Sequence, residues 1–202
     1  MQNFIFDIDG TLIDTEKMYI KPLYEVLIAN GYQITYAEAE ATFGITAKDA
    51  LEQLNVINPQ QVLEQWNRKI PDYQQEMTIF EGIPEALAQL NETKKLAIAT
   101  SKLKNEFERD FTPIGLNRYF HEVVTSDEVK RGKPAPDMIL KGLEKLAAEP
   151  KETVYVGDTV YDLKAAHNAG VYFALAGWRT PVDTRFKQAD FVLKKPIDMV
   201  NL

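Results

Sequence analysis

Apolar residues fall along the chain in runs too short for helices and too unbroken for strands with one wet face. Phe4-Ile5-Phe6 stops at Asp7, Leu96-Ala97-Ile98-Ala99 at Thr100, Val123-Val124 at Thr125, and Val154-Tyr155-Val156 at Gly157-Asp158. A strand covered on both faces needs no alternation, so these runs predict buried strands of a parallel sheet. Val171 to Leu175 and Phe191 to Leu193 extend the series. Helical stretches at Asn105 to Phe111, Pro136 to Ala147 and Leu163 to Ala169 alternate with the later strands, as helices covering both faces of such a sheet do. Ligands of open α/β sheets bind outside the carboxyl ends of the strands. If the runs at 4–6, 96–99 and 154–156 are parallel neighbours, Asp7, Thr100 and Asp158 meet at one edge from distant parts of the chain.

The segment 15–80 has a different texture, with helix starts in place of strand signals. Thr35 with Glu38 and Thr46 with Asp49 have capping-box spacing, and Asn58-Pro59 offers an N-cap followed by proline at the first helical position. Leu23, Val26 and Leu27 form one apolar face, Leu51 and Leu54 a second, and Val62, Leu63 and Trp66 a third. The expectation is a small α-helical insert with its own core, returning to the sheet at Glu81-Gly82-Ile83-Pro84. The predicted division is an α/β core of residues 1–14 and 81–202 and a helical domain of residues 15–80.

Composition removes several kinds of chemistry. The 202 residues include no cysteine and two histidines, which excludes disulfide scaffolds, cysteine nucleophiles and thiolate or His-rich metal sites. With 23 basic against 30 acidic residues the net charge is −7, and no basic cluster is long enough for a nucleic-acid footprint, so neither nucleic acid nor membrane is an expected partner. No run resembles a signal peptide or a membrane span, which makes the cytoplasm the expected location. Any metal chemistry has to be carboxylate chemistry.

Asp7-Ile8-Asp9-Gly10-Thr11 reads as a tight turn, a calcium loop or a reactive aspartate pair. The calcium reading fails, because the sixth and twelfth positions counted from Asp7 hold Leu12 and Met18 where glycine and glutamate belong. A turn explains Gly10 but not two carboxylates at the end of a buried strand, whose desolvation calls for a cation. Asp158 and Asp162 add two acids at the end of another strand, although Asp162 also suits a helix start. Hard carboxylate oxygens select Mg²⁺ and leave room for phosphate. Thr100, aided by the backbone N–H of Ser101, can donate to a phosphoryl oxygen or simply cap its strand. Lys133, in the proline-stiffened loop Arg131-Gly132-Lys133-Pro134-Ala135-Pro136, can place a fixed charge on phosphate or on a carboxylate.

Taken in order, Asp7-Ile8-Asp9-Gly10-Thr11-Leu12-Ile13-Asp14, Thr100 after its strand, Gly132-Lys133-Pro134, and Gly157-Asp158 with Asp162 resemble the four motifs of the haloacid dehalogenase superfamily across essentially the whole chain. The resemblance implies that Asp7 is the nucleophile and that Asp9 is the general acid/base, its backbone carbonyl also a metal ligand. It implies that Thr100 and Lys133 hold the phosphoryl oxygens and that Asp158 and Asp162 bind or orient Mg²⁺. The insert is similar to the helical cap of phosphoglycolate phosphatase-like and β-phosphoglucomutase-like members. The implied activity is Mg²⁺-dependent hydrolysis of a small phosphorylated metabolite through an aspartyl-phosphate, with no obligate protein partner. Two alternatives stand beside it. One is a sugar phosphomutase, against which Ala47 occupies the place of that group's usual phosphate-binding arginine. The other is a phospho-acceptor receiver module, against which the insert argues. Thr46 and Lys48, at a capped helix start in the insert, are candidate substrate contacts, with a solvated Lys48 as the alternative.

Overall fold

The structure is a computed structural model, and it describes residues 1–179 and 184–202. The predicted strands appear as β1 (Asn3–Phe6), β4 (Lys95–Ala99), β5 (Glu122–Val124), β6 (Thr153–Gly157), β7 (Tyr172–Ala176) and β8 (Phe191–Leu193). They form one sheet in the order β5-β4-β1-β6-β7-β8, every pairing parallel. A separate two-stranded antiparallel ribbon joins β2 (Ile13–Asp14) to β3 (Thr78–Ile79), pairing Ile13 with Ile79 and Asp14 with Thr78.

The unbroken apolar runs have the cause inferred for them. Phe4, Phe6, Leu96, Ile98, Val154 and Val156 enter one core cluster, whereas Ile5, Ala97, Ala99 and Tyr155 enter another. Alternate side chains therefore face opposite sides, and both sides are covered. The second side is covered by α7 (Asp137–Leu146) and α8 (Val160–Ala169), the first in part by α5 (Ile83–Asn91). The helix expected over Asn105 to Phe111 is α6 (Lys104–Glu106) running into a π turn over Phe107–Phe111. No helix among the described residues is long and apolar enough to cross a membrane.

Between the two ribbon strands run α1 (Glu16–Ala29), α2 (Tyr36–Glu40), α3 (Ala47–Gln53) and α4 (Pro59–Lys69). Met18, Leu23, Val26, Leu27, Leu51, Val62 and Trp66 share an apolar cluster of their own. Thr35 and Glu38 close the full capping box, and the Thr46 hydroxyl accepts from the Asp49 N–H. Asn58 differs from expectation, because its side chain makes no capping bond. Pro59 leaves no orphan N–H at the first helical position, and the Asn58 carbonyl accepts the first intrahelical bond, from Val62 at 3.2 Å.

Candidate active site

Because β1 lies between β4 and β6, the chain leaves the sheet centre in opposite directions on its two sides, and the strand ends open a crevice there. The ladder carries Asp7 into it, its N–H donating to Val156 O at 2.9 Å. Asp7 is 2 % exposed and Asp158 2 %, while Asp162 is fully buried. Gly10 adopts φ +81°, and a Cβ there would lie 2.3 Å from Asp158 Oδ2, so the first loop must be glycine for the second acid to approach.

Lys133, fully buried at its side chain, sets its Nζ 2.7 Å from Asp7 Oδ1 and 2.7 Å from Asp162 Oδ1. At these distances the buried ammonium group is in direct ion-pair contact with both carboxylates. Asp162 is indeed a helix-start acid as well: its Oδ2 accepts from the Thr159 N–H at 2.9 Å and the Thr159 hydroxyl at 2.6 Å. Tyr155 donates its hydroxyl to the Ala99 carbonyl at 3.0 Å and lies 3.3 Å from Asp162 Oδ1. Asp158 accepts from the Thr11 hydroxyl at 3.2 Å through Oδ1 and from Arg179 at 3.0 Å through Oδ2. Arg179 also packs over the Phe43 ring and lies 3.7 Å from Glu16, tying the loop after β7 to the helical segment.

One carboxylate oxygen is left over. Among the described residues Asp7 Oδ2 is buried without a hydrogen-bond partner, and Asp7, Asp158 and Asp162 each offer an oxygen within 4.8 Å of the others. An all-oxygen cluster with an orphaned lone pair fits a hard divalent cation. The Asp9 carboxylate stands outside this cluster and turns toward the helical segment. There it accepts from the Thr15 hydroxyl at 2.6 Å and pairs with Lys102 Nζ at 3.0 Å.

The remaining sequence candidates separate. Thr100 is fully buried and its hydroxyl accepts from the Lys102 N–H at 3.2 Å, which turns its own proton elsewhere. The Ser101 hydroxyl donates to the Gly44 carbonyl at 2.9 Å, joining the strand end to the helical segment. Thr46 donates to Asp49 Oδ2 at 2.7 Å and packs against Gly132. Lys48 is exposed and lines a broad cavity of about 820 Å³ that also reaches Lys133 and shares Ile45, Ala47 and Ser101 with the cleft containing Asp7 and Asp9. Sequence reading missed Arg179, Lys102, Tyr19 and Asp110. Only the step from an apolar strand into Thr100-Ser101-Lys102 marked one of them.

Burial pushes Asp158 up to about 7, with Asp162 adding to the effect and Arg179 opposing it. Burial likewise raises Asp7 well above the carboxylate range against the pull of Lys133, helped by Asp162, Asp9 and Asp158. An acid raised in the folded state binds protons that the unfolded chain has released, so these two groups lower stability as pH rises toward and past 7. Asp110, Asp127, Glu128 and Asp137 are held below their ordinary values. They act in the opposite sense, but only near and below the unfolded carboxylate values of about 4. In chelator, the urea midpoint is expected to fall between about pH 5.5 and 8, and a divalent cation, favouring the ionised cluster, should flatten or reverse that fall. A midpoint that rises with pH in chelator contradicts this account.

Residues 4–176 match the family of haloacid dehalogenase-like hydrolases. The chain is 33% identical over 177 residues to a protein assigned as pyrophosphatase PpaX of Caldanaerobacter subterraneus, covering 86% of this chain and 80% of that one. It is 30% identical over 213 residues to the pyrophosphatase PpaX of Listeria monocytogenes, covering 97% and 93%. Among solved structures, a protein assigned as a phosphoglycolate phosphatase from Lactobacillus plantarum superposes with a TM-score of 0.90 at 27% identity, covering 99% and 98% of the two chains. The match of sequence along the sheet, joined to the carboxylate cluster at its strand ends, means that this chain belongs to the haloacid dehalogenase-like hydrolase family.

Proposed function

We propose that the protein is a Mg²⁺-dependent phosphatase that hydrolyses a small phosphorylated metabolite through an aspartyl-phosphate on Asp7. The observation that carries this is the buried, unpartnered Asp7 Oδ2 beside a carboxylate cluster and a buried lysine. Mg²⁺ at Asp7, Asp158, Asp162 and the Asp9 main chain would neutralise the phosphoryl oxygens and the cluster together. Lys133 holds Asp7 by one oxygen, leaving the other to attack phosphorus as the bond to the leaving oxygen breaks. The Thr100 hydroxyl, the Ser101 N–H and Lys133 stabilise the charge on the equatorial oxygens. Asp9 gives a proton to the leaving oxygen, then takes one from the water that attacks the aspartyl-phosphate, and free phosphate leaves with Asp7 restored.

Residues 15–80 act as a cap over a core of 1–14 and 81–202 in this reading. Its support is the separate apolar cluster of the helices and the ribbon through which the chain passes twice. The cap excludes water and selects the leaving group. Pyrophosphate, named for the relatives, and phosphoglycolate, named for the structural neighbour, are the first substrates to try. Mutase activity is disfavoured because Ala47, not an arginine, lines the cleft beside Asp7. Release of inorganic phosphate from either compound should require Mg²⁺ and stop in excess chelator. Undiminished release under chelation overturns the metal-dependent mechanism.

A further inference from the structure

The mechanism above leaves a buried polar network unused. Lys102 is 4 % exposed, and its Nζ donates to the Tyr19 hydroxyl at 2.6 Å, lies 3.0 Å from Asp9 Oδ1 and 3.9 Å from Asp110 Oδ2, and sits 4.2 Å from the Tyr19 ring centre. Tyr19, on α1, donates in turn to Asp110, which Arg109 clamps through Nε at 2.6 Å and a terminal nitrogen at 2.7 Å. Burial alone would lower Lys102, but Asp9, Tyr19 and Asp110 hold it firmly charged. Trp66 fixes α1 here by donating to the Tyr19 carbonyl at 2.9 Å.

The place of this ammonium group gives it a use. The cleft between Asp7 and the helical segment has a volume of about 70 Å³, and Lys102 is the one cation among the described residues lining it. Phe43, Ile45, Ala50 and Ile70 give it apolar wall, and its acids are Asp7, Asp9 and Glu106. A leaving group in so small a space is compact. If it bears its own negative charge, Lys102 is the group able to meet it, and a buried ion without a partner is costly.

Resting on the phosphatase reading, we propose that Lys102 selects substrates whose leaving group carries a second anion, a phosphoryl or a carboxylate. It does so by exchanging its ion pair with Asp9 for one with that anion. Tyr19 and Asp110 are positioning residues: they hold the ammonium group at the cleft while it changes partner. The exchange also detaches the Asp9 carboxylate from the lysine when a fitting substrate is present, so recognition and readiness of Asp9 are joined in one contact.

The test compares pyrophosphate, phosphoglycolate and p-nitrophenyl phosphate on the full chain with Mg²⁺. Lys102→Met should lower kcat/KM for the two substrates whose leaving group carries a second anionic group by roughly 10- to 150-fold, the range for a charge-assisted hydrogen bond, and by at least tenfold more than for the aryl phosphate. A loss confined to pyrophosphate identifies a phosphoryl as the second anion, and a loss confined to phosphoglycolate a carboxylate. Binding is read separately with methylenediphosphonate and methylphosphonate: the diphosphonate should weaken at least tenfold in Lys102→Met and recover in part in Lys102→Arg. Tyr19→Phe should raise KM for the preferred substrate with a second anionic group several-fold with kcat nearly kept, and it decides the matter if Lys102→Met does not fold. Equal losses on all three substrates, diphosphonate binding that does not depend on Lys102, or no KM shift in Tyr19→Phe overturns the proposal. A wild-type protein that turns over none of the three defeats the phosphatase reading instead, and the diphosphonate measurement still decides on Lys102.

Discussion

Asp7→Asn should abolish turnover, lowering kcat by on the order of 10⁴ or more, and no acid-stable protein-bound phosphate should accumulate during reaction. The amide has nearly the size of the carboxylate, so packing is kept while the nucleophilic charge is lost. Lys133 still has Asp162 as a counter-ion at 2.7 Å, so the variant is expected to fold. Removing one of three crowded acids also relieves repulsion within the cluster, and the metal-free variant should unfold at a higher temperature than the wild type. Residual activity within tenfold of wild type, or labelled phosphate still trapped on the variant, removes Asp7 from the nucleophile's role.

Lys133→Met carries the largest expected loss of stability. It takes the one ammonium group from between Asp7 and Asp162 and leaves two buried carboxylates facing each other. Breaking a buried ion pair by deleting one partner costs about 3–5 kcal/mol, and here two partners are orphaned together. Activity should fall with it, since the same charge faces the phosphoryl oxygens. Lys133→Arg is not expected to rescue either property, because a planar guanidinium needs more space than a fully buried ammonium leaves it. Mg²⁺ should restore part of the stability by neutralising the cluster. Urea unfolding of the variant within about 1 kcal/mol of wild type contradicts this account of Lys133 between Asp7 and Asp162.

The sheet was legible because its central strands are wet on neither face, and a run such as Phe4-Ile5-Phe6 can mean little else when a pair of aspartates ends it. The acids at strand ends were legible for the complementary reason, that charge beside buried strand is costly and calls for a cation. What escaped was set by packing between distant segments. Tyr155 sits within an apolar run and reads as strand filler, yet its hydroxyl crosses to Ala99 and Asp162. Tyr19 and Asp110 lie 91 positions apart on unremarkable helical stretches, and nothing local foretells that they meet Lys102. Arg179 follows a strand as many surface arginines do, and only the fold turns it onto Asp158. Thr15 occupies an N-cap position but gives its hydroxyl to Asp9 instead of to the helix, a choice that local sequence does not encode.

The central place of β1 also sets an order of events during synthesis. Asn3 pairs with Lys95 on one side and with Thr153 on the other, so β1 is flanked by partners made much later than itself. At roughly 5–20 residues per second, β1 waits on the order of 8 to 30 s for its second neighbour. The helices of residues 15–80 bury their own apolar cluster among themselves and need not wait. Until then Phe4, Ile5 and Phe6 lack the strands that cover them in the finished sheet. That interval is where a holding chaperone has most to gain, and a slowing of translation before residue 153 lengthens it.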